Sequence, residues 1–194
     1  NPSIENAYNT VKDLTYVVFG GNLARNIHKW AGEGMIIFVL LHMARVFYTS
    51  SYKNGREFNW VIGIFLLIIT FGINLSGYML PWDQLSYWAL VIVANIIQSP
   101  KEITDALGIT KYFDIGGFSK ELFLGGTVAG KEALTRVYLF HIMIFPILLF
   151  LFLGVHFWRI RKDGGLTKPE NFEPKPQDTQ LLALPDKKGG IFPV

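Results

Sequence analysis

Three long apolar runs separated by polar stretches set the expected architecture. The first, about Asn26 to Thr49, is interrupted only by Lys29 and Glu33 near its start and Arg45 near its end. The second is plainer: Phe58 to Trp82 carries no charged residue for 25 positions, more than the ~20 a membrane helix needs. Its helix is expected over 60–81, where Pro81 stops the hydrogen-bond ladder. The third covers about Val137 to Trp158, with Pro146 inside it. The pattern predicts an all-α membrane protein, a transmembrane helix bundle with spans near 26–49, 60–81 and 137–158 within a domain of residues 26–162. Leu85 to Ile97 is apolar for thirteen residues, too short to cross and suited to an amphipathic surface helix. Gly116-Gly117, Gly125-Gly126 and Gly130 mark turns. Residues 1–25 read as a surface lead-in. Residues 163–194, with five of the nine prolines, read as a polar tail that docks on a partner or stays mobile.

Composition sharpens the class. Over 194 residues, 51% are hydrophobic and only 17% charged, too apolar for an ordinary soluble domain. A formal charge of +3 without a basic, aromatic-laced patch argues against nucleic acid. Cysteine is absent, which removes disulfides, iron–sulfur ligation and thioether-linked haem from within this sequence. Lys53 and Arg56 after the first span, and Arg159, Arg161 and Lys162 after the last, orient both those ends toward the cytoplasm or its equivalent. The 83–136 connection then faces the positive side. A start at Asn1, without methionine, leads us to expect that something upstream was removed or not included.

The four histidines change the picture most. His28 and His42 lie fourteen apart in the first span, and His141 and His156 fifteen apart in the last. On a helix, fourteen residues bring two imidazoles within roughly 40° of each other and separate them by about 21 Å. Ionisable residues in membrane spans are costly and mostly functional. Two such helices face to face would hold two haems, one imidazole on either side of each iron. Zinc fits less well, because its ligands cluster around one ion. His28 pairs with His141 and His42 with His156, because the first and last spans run parallel.

Arg25 and Arg45 each lie three residues from a histidine, where an arginine reaches a haem propionate or snorkels at a helix end. Gly63 and Gly77 repeat the fourteen-residue interval; they admit a flat macrocycle or serve helix–helix contact. Lys29 and Glu33 form an i,i+4 pair, with a proton-handling Glu33 as the less favoured reading. Pro146 is expected to kink the last span and so reconcile fifteen residues with fourteen.

Five stretches carry a resemblance: LARNIH (23–28), LLHMARVFYTSSYK (40–53), GYMLPWDQLSYWA (77–89), LTRVYLFHIMIFP (134–146) and HFWRIRK (156–162). With Asn59-Trp60 between them, they resemble the cytochrome b family of quinol:cytochrome c and quinol:plastocyanin oxidoreductases over about residues 4–162. The fifteen-residue interval and Pro-Trp-Asp-Gln at 81–84 look most like the short, split cytochrome b6 form. The resemblance implies two haem b groups, low-potential at His28/His141 and high-potential at His42/His156. It further implies propionate contacts from Arg25, Arg45 and Arg136, and haem packing at Gly63 and Gly77. Trp88, Ala89, Ile92 and Val93 would form one wall of the quinol-oxidation pocket, and Arg161 would stand near the quinone-reduction site. It implies bifurcated quinol oxidation in an energy-transducing membrane such as the bacterial cytoplasmic membrane. The expected partners are a Rieske-type iron–sulfur protein, a c-type cytochrome and a subunit-IV-like protein with a Pro-Glu-Trp-Tyr motif, in a homodimeric complex.

The sequence departs from the family in three ways. Only three of an expected four spans are visible, since the family's first apolar helix has no counterpart here. A third haem, attached in b6-type complexes at the start of that helix, is left open, and the tail is longer than in cytochrome b6. The alternative is a di-haem membrane anchor of a dehydrogenase or hydrogenase, which has no reason to carry LPWDQ and LTRVYLFH together; a histidine-lined metal transporter predicts a bound metal ion and no haem, and a structural scaffold no redox cofactor.

Overall fold

A computed structural model describes residues 2–53 and 55–163; apart from Asp163, the expected tail lies outside the described residues. The described chain is helical throughout its regular elements: α1 (Ala7–Tyr16), α2 (Gly21–Tyr48), α3 (Glu57–Met79), α4 (Gln84–Gln98), α5 (Pro100–Ala106), α6 (Ile115–Leu124) and α7 (Lys131–Leu139). A π-helical turn at Phe140–Ile144 then leads into α8 (Phe145–Lys162). Three helices are long and apolar enough to cross a membrane: α2, α3 and the continuous run Lys131–Lys162.

The first span starts earlier than expected, at Gly21. Gly20 turns the chain with φ 72°, and Gly21 lies against the Leu14 carbonyl, where any Cβ would overlap. The last helix also starts early, because Lys131–Arg136 are helical rather than part of the preceding connection. Among the described residues α2 buries only Gly21. Leu23, Ile27, Trp30, Ile37, Phe38 and Leu41 are exposed, as the lipid-facing side of a membrane helix requires, while Met35, Ile36, Val39 and Met43 are half-buried.

The chain divides into two compact units, and each takes half of every long helix. One joins the chain up to Ile36 with Ile68–Leu149. Its core is Met79, Leu90, Ala94, Leu124, Ala133 and Val137, where α6 packs against α4, α5 and α7. Trp82 takes a left-handed conformation (φ 54°), at a backbone cost of roughly 1–2 kcal/mol, and Asp83 then caps α4 by accepting from the Ser86 N–H at 2.8 Å. The i,i+4 row Ser86, Leu90, Ala94 is buried, while Leu85, Trp88, Ile92 and Ile96 form an exposed apolar stripe.

Gly116-Gly117 do not mark a turn, as expected, but open α6. Asp114 caps the helix by accepting from the Gly117 N–H at 2.8 Å, and Gly116 packs on the Gln98 carbonyl and Lys101, where a side chain would not fit. Gly125, with φ 78°, does end α6 in the left-handed conformation glycine favours. Lys101 donates to Asp114 at 2.8 Å, tying α5 to the start of α6.

Among the described residues, the other unit joins Ile37–Leu67 with the stretch from Phe150 to Asp163. Phe65 and Phe152 pack with ring centroids 5.7 Å apart, and Tyr52 stacks on Phe47 at 5.9 Å and lies tilted against Trp60 at 5.2 Å. Arg159 lies over the Phe58 ring and pairs with Asp163 at 3.0 Å. Arg56 donates to the Asp163 carbonyl at 3.4 Å.

Candidate haem-binding site

Each unit contains one pair of histidines. In the first, His28 from α2 faces His141 from the π turn with ring centroids 6.0 Å apart and ring planes at 87°. In the second, His42 from α2 faces His156 from α8 at 6.4 Å and 83°. Two imidazoles bonded to one metal at about 2.0 Å, each centroid about 1.1 Å behind its nitrogen, stand about 6.2 Å apart. Both pairs therefore stand at a ring separation compatible with a shared metal. Among the described residues no group of three or more His, Cys, Asp or Glu forms a metal site, so each pair would hold a haem iron better than it would supply the four-ligand shell of zinc.

The fifteen-residue interval is resolved by the π turn. Phe145 N–H donates to the Phe140 carbonyl, one residue further back than in an α-helix. That wide turn takes up one extra residue, so fifteen positions advance the helix about as far as fourteen regular ones. Pro146, which has no N–H to donate, follows Phe145, two residues after the turn. A local change of helix type thus absorbs the odd residue, and His141 sits inside it.

The surroundings of His141 determine its tautomer. Its Nδ1 is 2.9 Å from the Ile73 carbonyl and 3.2 Å from Ser76 Oγ. Ser76 Oγ in turn donates its single proton to the Ile73 carbonyl at 2.9 Å. Both neighbours can then only accept from Nδ1, so Nδ1 carries the proton and Nε2 keeps the lone pair a metal uses. Gly77 makes this approach possible: a Cβ there would lie 2.6 Å from His141 Cε1.

The second pair repeats the arrangement fourteen residues away along α3, with Asn59, Ile62 and Gly63 in place of Ile73, Ser76 and Gly77. A Cβ on Gly63 would meet His156 Cε1 at a comfortable 3.9 Å. His156 Nδ1 is buried with the Asn59 carbonyl beside it. The fourteen-residue echo was visible in the glycines; Ser76 and the Ile73 carbonyl were missed. A serine in an apolar span directly before one of those glycines was the available signal, whereas a backbone acceptor leaves none.

Other expected site residues are placed less centrally. Arg25 and Arg45 lie exposed on α2. Arg136 donates to the Leu122 carbonyl at the end of α6. Arg161 is exposed in the last turn of α8. Trp88 and Ile92 belong to the exposed stripe of α4, Ala89 is half-buried and Val93 packs on the core. Lys29 and Glu33 approach to 3.9 Å on an exposed surface.

Comparison with known proteins gives the family. Residues 33–184 match the family described as Cytochrome b(N-terminal)/b6/petB. Cytochrome b6 of Heliobacterium mobile is 40% identical over 163 residues, which cover 84% of this chain and 71% of that protein. Cytochrome b6 of Gracilaria tenuistipitata var. liui is 36% identical over the same share of this chain and 70% of its own. A solved chain of a hyperthermophilic respiratory Complex III superposes with a TM-score of 0.72 at 28% identity, over 91% of this chain. The match covers 45% of that longer chain. With its apolar helices and paired intramembrane histidines, this chain is an integral membrane protein and belongs to the cytochrome b N-terminal/b6 family.

Proposed function

We propose that this chain is the di-haem cytochrome b subunit of a quinol-oxidising membrane complex, carrying electrons across the membrane between a quinol-oxidation and a quinone-reduction site. The observation that carries the reading is the pair of histidine couples, each with the ring separation of a bis-imidazole iron site. Haem b, when bound, supplies one-electron redox chemistry at a potential that its ligands and surroundings adjust. His28 and His141 would hold the lower-potential group toward the positive side, and His42 and His156 the higher-potential group toward the negative side.

The remaining residues position and insulate. The Ile73 carbonyl and Ser76 fix the His141 tautomer, so that Nε2 is the free donor. Gly63 and Gly77 keep α3 clear of side chains beside the two imidazoles. Arg25, Arg45 and Arg136 are the propionate partners in this reading, and Arg161 belongs to the quinone-reduction side. Trp88 and Ile92, with Ala89 and Val93 behind them, offer an apolar face for a quinol headgroup and tail. A Rieske-type iron–sulfur protein, a c-type cytochrome and a subunit-IV-like partner would complete a dimeric complex.

The test is a pyridine haemochrome assay with a redox titration on the isolated complex and on a His42→Ala variant. Two b-type haems of separated potential are expected, with the higher-potential one lost in the variant. Absence of haem b, or retention of both components in the variant, would refute the reading.

A further inference from the structure

The two histidine pairs are built on the same fourteen-residue frame, yet one position differs in kind. Before Gly77 stands Ser76, which is 6% exposed and has its hydroxyl 3.2 Å from His141 Nδ1. Before Gly63 stands Ile62, 8% exposed and without a polar atom on its side chain. The His141 N–H is shared between two oxygens, whereas His156 Nδ1 has the Asn59 carbonyl beside it and an aliphatic side chain, Ile62, where Ser76 stands in the other site.

We infer that Ser76 is a positioning residue that lowers the reduction potential of the haem held by His28 and His141, and that the Ser76/Ile62 difference contributes to the separation of the two potentials. The inference rests on the haem-ligation reading above. An N–H donated to good acceptors makes an imidazole more basic and a stronger donor to iron, which favours the ferric state. Because its own proton is committed to the Ile73 carbonyl, Ser76 Oγ turns lone pairs toward Nδ1. It therefore adds to the pull on that proton. The helix turn that presents these acceptors is open to the ring only because residue 77 is glycine.

The experiment is a redox titration of the isolated complex in wild-type, Ser76→Ala, Ser76→Thr and Ile62→Ser forms, with the haem content of each measured first. Ser76→Ala is expected to shift the ferric/ferrous equilibrium of the haem at His28/His141 about threefold toward ferrous, or about 28 mV upward at 59 mV per decade. The other haem should not move, and Ser76→Thr, which keeps the hydroxyl, should restore the wild-type value. Ile62→Ser should lower the potential of the haem at His42/His156, which tests the same idea in a site where Ser76 plays no part. The ferric low-spin electron paramagnetic resonance signal of the affected haem should move with each potential; a merely structural role would not produce that pairing. With both haems present, an unmoved potential in Ser76→Ala, or an equal shift of both haems, overturns the inference and leaves the ligation reading standing. A wild-type complex without haem b overturns the ligation reading itself, and the inference with it.

Discussion

Replacing Gly77 by alanine tests whether the glycines on α3 serve the imidazoles or the macrocycle. The added Cβ would lie 2.6 Å from His141 Cε1 and 3.1 Å from Nδ1. Carbon–carbon contact settles near 3.5 Å, so the ring must retreat by about 0.9 Å. A retreat along the line of the 2.9 Å bond from Nδ1 to the Ile73 carbonyl would lengthen it to at most about 3.8 Å, beyond hydrogen-bond range. A buried polar group left unpaired costs about 1–3 kcal/mol, equivalent to a loss of roughly 5- to 150-fold in affinity for whatever the histidine binds. Gly63→Ala is the matched control. Its Cβ meets His156 only at 3.9 Å, and both substitutions gain the same helix propensity of about 1 kcal/mol. The difference between them isolates the steric effect. The assay is haem stoichiometry by pyridine haemochrome, with the two components resolved by redox titration. Gly77→Ala should lose or weaken the haem at His28/His141, while Gly63→Ala retains both. Equal losses in the two variants would refute the reasoning, because they would show that macrocycle packing on each glycine governs the outcome.

Two further predictions concern the scaffold. Gly72→Ala drives a Cβ to 2.7 Å from Phe145 Cζ, and overpacking of that kind destabilises by about 1–3 kcal/mol, offset in part by the helix gain of about 1 kcal/mol. Thermal unfolding in detergent should show a lower midpoint than for Gly154→Ala, where no atom lies within 4 Å of the added Cβ; equal midpoints would contradict it. Lys101 and Asp114 should impose a pH window. The hydrogen bond from Lys101, and secondarily the Gly117 N–H, holds the Asp114 carboxyl below its usual range, and Asp114 raises Lys101. The carboxylate's contribution is complete above its ordinary pKa near ~3.9 and fades as pH falls through the depressed value; the ammonium's is complete below ~10.4 and fades as pH rises through the raised one. Melting curves across pH should therefore show an acid and an alkaline limb that Asp114→Asn flattens. Unchanged limbs in that variant would discard the pair as their source.

The parts legible from sequence were those encoded locally. Uninterrupted apolar runs define membrane helices because backbone polar groups in lipid must be satisfied within the segment, so length and hydropathy alone identify the spans. The histidine intervals were equally local, since helix geometry converts fourteen positions into one shared face. Boundaries were less legible. Gly20-Gly21 and Gly116-Gly117 look alike as turn signals, yet in each pair a glycine opens a helix because a neighbouring backbone or side chain occupies the place of its Cβ.

The amino-acid sequence by itself determined that this is an apolar helical chain with two matched histidine pairs and the motifs of a cytochrome b. Only the tertiary structure decided how each pair is held. The π turn at Phe140–Ile144 absorbs the odd residue, the Ile73 carbonyl and Ser76 hydroxyl orient His141, and Arg136 reaches the end of α6 at Leu122. These depend on backbone acceptors and on contacts between residues as many as 68 positions apart. A carbonyl is present at every residue, so no residue type announces which one a distant imidazole will find.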